Sequence, residues 1–284
     1  MKMVSQEKIE TLQQIITGFG NVAVAYSGGI DSTLLLKISY DCLGEQAVAI
    51  TAVSPSLPAR ELEQAQSIAR QIGARHILIH SREVEDPRYL ENTPSRCFFC
   101  KSEVYTQLVQ RASQLGIDTL VDGTNADDAD DHRPGLQAAR KHGVRSPLQE
   151  AGFSKEEIRQ LGRQLGLPNW DKPAAACLSS RIPYGTLISL ETLSQVEQAE
   201  RILHDLGLGQ LRVRHHDQIA RIEVEAVDFD RLLANRQAIV AAFRQIGYQY
   251  VTLDLAGFRS GSLNEVLHKQ RNLHGRRENS RIID

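Results

Sequence analysis

The sequence predicts an α/β protein: a parallel sheet covered by helices, followed by a smaller α+β domain. Three observations carry this prediction. Short apolar runs alternate with helical patterns through the first 170 residues, one such run stops abruptly at Ser-Gly-Gly, and the pattern breaks between Pro168 and Pro183. The expected domains are 1–170, 171–267 and a basic, unpatterned tail at 268–284, for which disorder is expected.

In chain order, the strand-like runs are NVAVAY (21–26), AVAITAV (47–53), RHILI (75–79) and DTLVD (118–122). Helices are expected between them at 32–43, 59–73 and 99–115, where apolar residues recur at three and four positions. Val22, Ala23, Val24 and Ala25 are apolar on both faces of their strand, which suits the inside of a parallel sheet. After the proline-rich DKPAAACLSSRIPYG come a helix (190–206), strands (210–215 and 219–225), a helix (229–245) and a strand (249–255). No internal repeat is visible.

Composition narrows the function classes. The chain has 284 residues, 41% hydrophobic and 24% charged, with a formal charge of −2. A chain of this length buries roughly 75% of its unfolded surface and needs no disulfide staples. The lack of a basic excess argues against a nucleic-acid binder. No run of 18 apolar residues appears, and the opening MKMVSQEKIETLQQII lacks the apolar core of a signal peptide, so a cytoplasmic protein with no membrane partner is expected. Its four cysteines are then ligands, catalysts or core residues rather than disulfides.

The stretch Ser27-Gly28-Gly29-Ile30-Asp31-Ser32 turns from the first strand into a helix starting near Ser32. In a parallel sheet this is the carboxyl end of a strand, where ligands bind. Glycines let backbone N–H groups approach an anion, the unpaired N–H groups of the helix start point to the same spot, and Ser27 and Ser32 add hydroxyls. Phosphate is the anion such a nest favours, with charge-assisted hydrogen bonds of roughly 1.5–3 kcal/mol each. The alternative is a glycine turn capped by Asp31 and Ser32. The motif is not a Walker A loop, because no Gly-Lys-Ser/Thr follows.

SGGIDS resembles the PP-loop of ATP pyrophosphatases, which hold ATP by its β- and γ-phosphates, adenylate an acceptor oxygen and release pyrophosphate. The resemblance implies an adenine nucleotide alpha hydrolase-like fold. DGTNADD at 122–128 ends another apolar run and matches that family's GTN segment, which puts Gly123, Thr124 and Asn125 beside the nucleotide. Asp31 and Asp128 are candidates to bring Mg²⁺ to the phosphates; Asp127 and Asp128 could instead cap a helix or face water.

Cys97 and Cys100 form a CxxC in RCFFCK, and Cys177 sits in the proline-rich segment. Cys42 falls on the apolar face of a helix with Leu34, Leu35 and Ile38 and reads as a core residue. The other three could hold zinc with a fourth ligand such as His132 or His215, hold a 4Fe-4S cluster with one open iron, or be unrelated thiols.

Over nearly its whole length the chain resembles the LarE-type ATP-dependent sulfur transferases, which help build the nickel-pincer cofactor of lactate racemase. The segments that carry the resemblance are SGGIDS, DGTNADD, HRPGLQAAR (132–140), ACLSSRIPYG (176–185), RVRHHDQIARIE (212–223) and YVTLDLAGFRSG (250–261). It implies ATP-dependent conversion of pyridinium-3,5-biscarboxylic acid mononucleotide to its bisthiocarboxylic form. In one branch the cysteine matching Cys177 surrenders its own sulfur and becomes dehydroalanine. This sequence also has Cys97 and Cys100, so it looks like the branch in which three cysteines bind 4Fe-4S and a sulfide is transferred. Sulfide or a sulfur-donating protein and a homo-oligomer are implied partners.

Arg212 and Arg214 fall on one face of a short strand, and two adjacent guanidiniums need an anion between them; the substrate phosphate is the natural one. The resemblance supports that role. Glu200 and Glu223 fit a metal-binding or substrate-orienting role, and Arg181 a carboxylate or nucleotide contact, with a solvated face as the alternative for each. Lys101 could reach a phosphate or simply face solvent. Two competing readings remain: a tRNA thiolation enzyme, supported only by the basic tail, and a non-catalytic nucleotide or iron-sulfur sensor.

Overall fold

The structure, a computed structural model, describes residues 4–128 and 134–259, with side chains except at 134–136. The expected tail at 268–284 and His132 lie outside the described residues. Backbone contacts divide the chain into two compact units, Met1–Ala176 and Cys177–Asp284.

The first unit runs α1 (Gln6–Phe19), β1 (Val22–Ala25), α2 (Ile30–Leu43), β2 (Ala47–Val53), α3 (Ala59–Ile72), β3 (Arg75–His80), α4 (Pro87–Leu90), α5 (Arg96–Gln114), β4 (Leu120–Val121), α6 (Pro134–Lys141), α7 (Pro147–Glu150) and α8 (Lys155–Gln164). Its strands form one sheet in the order β3-β2-β1-β4, parallel at every pairing. Alternate residues of β1 serve opposite faces. Val22 and Val24 join a core with Leu12, Ile16, Leu34 and Phe153, while Ala23 joins a second core with Ile50, Tyr105 and Leu108. Both faces are therefore covered, as the apolar strand pattern predicts. Cys42 is half-buried against the first of these cores, and burial raises its thiol pKa.

The order of this sheet places the carboxyl ends of β1 and β4 side by side, because those strands pair directly with Val24 opposite Val121. The two loops expected to meet nucleotide leave from these ends. α8 starts at a full capping box, in which the Ser154 side chain accepts from the Glu157 N–H and the Glu157 carboxylate accepts from the Ser154 N–H. That cap fixes where Lys155 begins its helix.

The second unit runs α9 (Leu190–Asp205), β5 (Leu211–His216), β6 (Ile219–Val224), α10 (Phe229–Ala234), α11 (Arg236–Gln245) and β7 (Tyr250–Leu253). Its sheet is ordered β5-β6-β7, antiparallel between β5 and β6 and parallel between β6 and β7. Val213, Ile222, Val224, Leu203 and Phe243 form its core. The single helix expected at 229–245 is two helices, parted at Asn235, whose side-chain amide donates to the Arg231 carbonyl. A short side-chain amide offers the backbone an alternative to the helical bond, which ends α10 there.

Candidate functional site

The Ser-Gly-Gly turn lies at the end of β1, and α2 begins at Ile30, two residues earlier than the sequence suggests, with Gly29 as its N-cap. No side chain caps this helix, so its first N–H groups remain available to a ligand. Two hydroxyls lock the turn. Ser32 Oγ donates to the Gly29 carbonyl at 3.1 Å and accepts from the Ser27 N–H at 3.2 Å, while Ser27 Oγ lies 3.2 Å from Ser32 Oγ.

Gly28 has φ +74°, and a Cβ there would lie 2.7 Å from Ala65 Cβ, so only glycine fits. A Cβ on Gly29 would meet only Ser27 Oγ, at 3.5 Å, which leaves open space in front of the turn. Asn169, almost fully buried, steadies the turn from a distance by donating to the Gly28 carbonyl at 2.8 Å and to Thr33 Oγ1 at 2.9 Å.

The second loop packs against the first through Gly123. A Cβ at that position would lie 2.8 Å from the Ser32 nitrogen, so this glycine permits the close approach of the GTN segment to the start of α2. Asp122 shapes the segment. Its carboxylate accepts from the Thr124 N–H at 3.1 Å, from Ser146 Oγ at 2.8 Å and from Tyr105 OH at 3.0 Å. Burial, then the Asp122 charge, raises the Tyr105 pKa and keeps the phenol a donor. Asn125 is buried and turned into its own loop, where Oδ1 accepts from the Asp127 N–H; Asp128 accepts from the Asn125 N–H.

Between these loops lies a cavity of about 360 Å³. Ser27, Asp31, Ser32, Asp122, Gly123, Thr124 and Asp128 form its polar side, and Ile50, Ala52, Leu57, Val104 and Leu108 its apolar side. The lining thus offers polar groups to a phosphate chain and apolar side chains to a flat ring. Asp31 pairs with Lys155 through Oδ2, while its Oδ1 is buried with no partner. A buried, unpartnered carboxylate oxygen fits a cation such as Mg²⁺. Lys155 lies 124 residues from Asp31 in sequence, and no local spacing announces it.

Cys97 is exposed and Cys100 half-buried, both near the start of α5 and three residues apart on one side of it. Two thiols at that spacing can reach one soft metal centre together. Arg96, beside them, is buried and donates to Asn92 Oδ1. Among the described residues no three or more His, Cys, Asp or Glu side chains are gathered as a metal site. No described helix is long and apolar enough to cross a membrane.

The second unit gathers the other expected residues. Cys177 precedes a short helical turn, Leu178–Arg181, and its carbonyl accepts from Arg181 at 3.1 Å. Arg181 also binds both oxygens of Glu200, at 2.8 and 3.0 Å, and Glu200 Oε1 accepts the Val213 N–H. Arg214 binds both oxygens of Glu223, at 3.0 Å each, and donates to the Ser180 carbonyl at 2.7 Å. Both glutamates therefore orient arginines.

Arg212 differs from its neighbours. It is 9% exposed, lies 5.2 Å over the Phe258 ring and has no carboxylate partner among the described residues. Burial, followed by the charges of Arg181 and Arg214, lowers its pKa to about 10. His215 faces the Tyr248 hydroxyl, 3.2 Å away, and burial lowers its pKa.

No protein-family model matches the chain. It is 48% identical to an uncharacterized protein of Synechocystis sp., over 93% of this chain and 99% of that protein. It is 40% identical to the pyridinium-3,5-bisthiocarboxylic acid mononucleotide synthase of Lactiplantibacillus plantarum, over 92% of this chain and 95% of that enzyme. A tRNA-specific 2-thiouridylase of Beijerinckia indica matches at 28% identity, but over only 53% of this chain and 44% of its own length.

Proposed function

The chain belongs to the LarE-type family of ATP-dependent sulfur transferases, a branch of the PP-loop ATP pyrophosphatases, and from that premise we propose that it inserts sulfur into pyridinium-3,5-biscarboxylic acid mononucleotide. The match to the Lactiplantibacillus plantarum synthase along nearly the whole chain is the observation that carries this reading. The thiouridylase likeness covers about half the chain, which favours the small pyridinium nucleotide over tRNA.

A carboxylate resists nucleophiles until one oxygen becomes a good leaving group. In the proposed first step a substrate carboxylate oxygen attacks the α-phosphorus of ATP, the bond to the β-phosphate oxygen breaks, and pyrophosphate leaves. In the second a sulfur nucleophile attacks the carbonyl carbon, the bond to the AMP oxygen breaks, and a thiocarboxylate remains. Two rounds give the bisthiocarboxylate.

Ser27, Gly28, Gly29 and the open start of α2 hold the terminal phosphates, with Gly123, Thr124 and Asn125 completing the nucleotide loop. Asp31, with Asp128, holds Mg²⁺, which when bound offsets phosphate charge. Arg212 takes the substrate phosphate, and Glu200 and Glu223 keep Arg181 and Arg214 aimed at the same anion.

Cys97, Cys100 and Cys177 hold a 4Fe-4S cluster, which when bound supplies the sulfide. The exposed and half-buried thiols at the start of α5 support that assignment. The proposal includes reloading by sulfide or a sulfur-donating protein, a homo-oligomer, a cytoplasmic site of action and a product used for the nickel-pincer cofactor. Pyrophosphate release by the purified protein with ATP and the pyridinium dicarboxylate nucleotide tests the function. Release that instead requires tRNA would point to the thiolation enzymes, and binding of ATP without release to a sensor.

A further inference from the structure

We propose that Lys101 is the residue that binds the α-phosphate of the nucleotide, and that it keeps hold of that phosphate through both adenylation and displacement of AMP. The inference rests on the nucleotide reading of the cavity. It adds an assignment for the phosphate at which the chemistry occurs.

Among the described residues that line the cavity, Lys101 is the sole lysine or arginine. Its ammonium lies 5.9 Å over the Tyr105 ring, and no carboxylate among the described residues pairs with it. Every other charged side chain on the cavity wall is an acid: Asp31, Asp122 and Asp128. Asp31 already binds Lys155, and Asp122 is held by hydrogen bonds from Tyr105, Ser146 and Thr124. Lys101 is thus an unspent positive charge in a site meant for a polyanion.

The terminal phosphates have a separate partner in the nest at the start of α2. Lys101 comes from α5, along with Val104, Tyr105 and Leu108, and so serves a part of the ligand that the nest does not. In the first step the α-phosphorus carries extra negative charge as the carboxylate oxygen adds. In the second, AMP leaves with one more negative charge on that same phosphate. A cation fixed there stabilises both changes.

The helix also relates this position to the thiols. Cys97 precedes Lys101 by four residues and Val104 by seven, so it stands one turn earlier on the stripe that lines the cavity, with Cys100 beside it.

Calorimetric titration of the full chain with AMP and, separately, with inorganic pyrophosphate tests the assignment on wild type, Lys101→Ala and Lys101→Arg. Lys101 is exposed, so neither substitution disturbs a core. The expected result is a loss of about tenfold or more in AMP affinity for Lys101→Ala, from the removal of one charge-assisted contact, with pyrophosphate affinity unchanged and AMP binding largely restored in Lys101→Arg. Equal AMP affinity in wild type and Lys101→Ala would overturn the inference while leaving the nucleotide site standing. An equal loss toward pyrophosphate would move Lys101 to the terminal phosphates and overturn it as well. Wild type that binds neither ligand would overturn the nucleotide reading itself.

Discussion

Lys155 holds one oxygen of Asp31, and the other oxygen of the same carboxylate, Oδ1, is buried without a partner. Such an acid is anchored on one side and open to a cation on the other, at the start of the helix proposed to receive phosphate. Asp31→Asn keeps the shape and removes the charge. Pyrophosphate release is expected to fall by at least a hundredfold, about 2.7 kcal/mol of transition-state stabilisation, with the circular dichroism spectrum unchanged. Wild-type release by this variant would remove Asp31 from the site.

The two glycines of the turn are expected to fail differently. Gly29→Val adds a branched side chain into open space, so the protein folds but the phosphate is excluded and pyrophosphate release stops. Gly28→Ala puts a Cβ against Ala65 at a left-handed backbone position, so stability itself falls, by about 1–3 kcal/mol. Thermal unfolding monitored beside activity separates the two outcomes.

Much of this site is legible in the sequence because it is local. The apolar run into Ser27-Gly28-Gly29 marks a strand-to-helix turn by residue type alone, and Gly123 sits in the same kind of loop. α1 is harder to see, since Ile9, Leu12 and Ile16 keep helical spacing inside an otherwise polar stretch. Long-range pairing is not legible at all. Nothing near Glu200 in sequence says that it is taken up by Arg181, and Lys155 and Asn169 reach the turn from more than a hundred residues away.

Arg212 carries a cost in the absence of anion, because its pKa of about 10 lies below that of an exposed guanidinium. The folded protein holds that proton less tightly than the unfolded chain does. The cost is therefore full at neutral pH and fades as pH rises through about 10. Arg212→Met is expected to raise the thermal midpoint by roughly 2–4 °C, the shift that about 1 kcal/mol gives in a chain of this size. It is also expected to weaken the pyridinium nucleotide at least tenfold while leaving ATP affinity unchanged. A midpoint that falls, or unchanged substrate affinity in calorimetry, would return Arg212 to a structural role.

The most direct test of sulfur transfer is mass spectrometry of both the small molecule and the intact protein after anaerobic reaction with ATP, the pyridinium dicarboxylate nucleotide and added sulfide, run for wild type and for Cys97→Ala, Cys100→Ala and Cys177→Ala. The account predicts a wild-type product in which sulfur has replaced a carboxylate oxygen, more than one such product per chain, and a protein of unchanged mass. Each cysteine variant should lose iron and transfer together yet still release pyrophosphate, because the phosphate nest uses none of these thiols. Dehydroalanine at position 177 accumulating in step with product, with the Cys97 and Cys100 variants still active, would contradict the three-cysteine cluster as the sulfur source. A substrate recovered with both carboxylates intact would contradict the account as a whole.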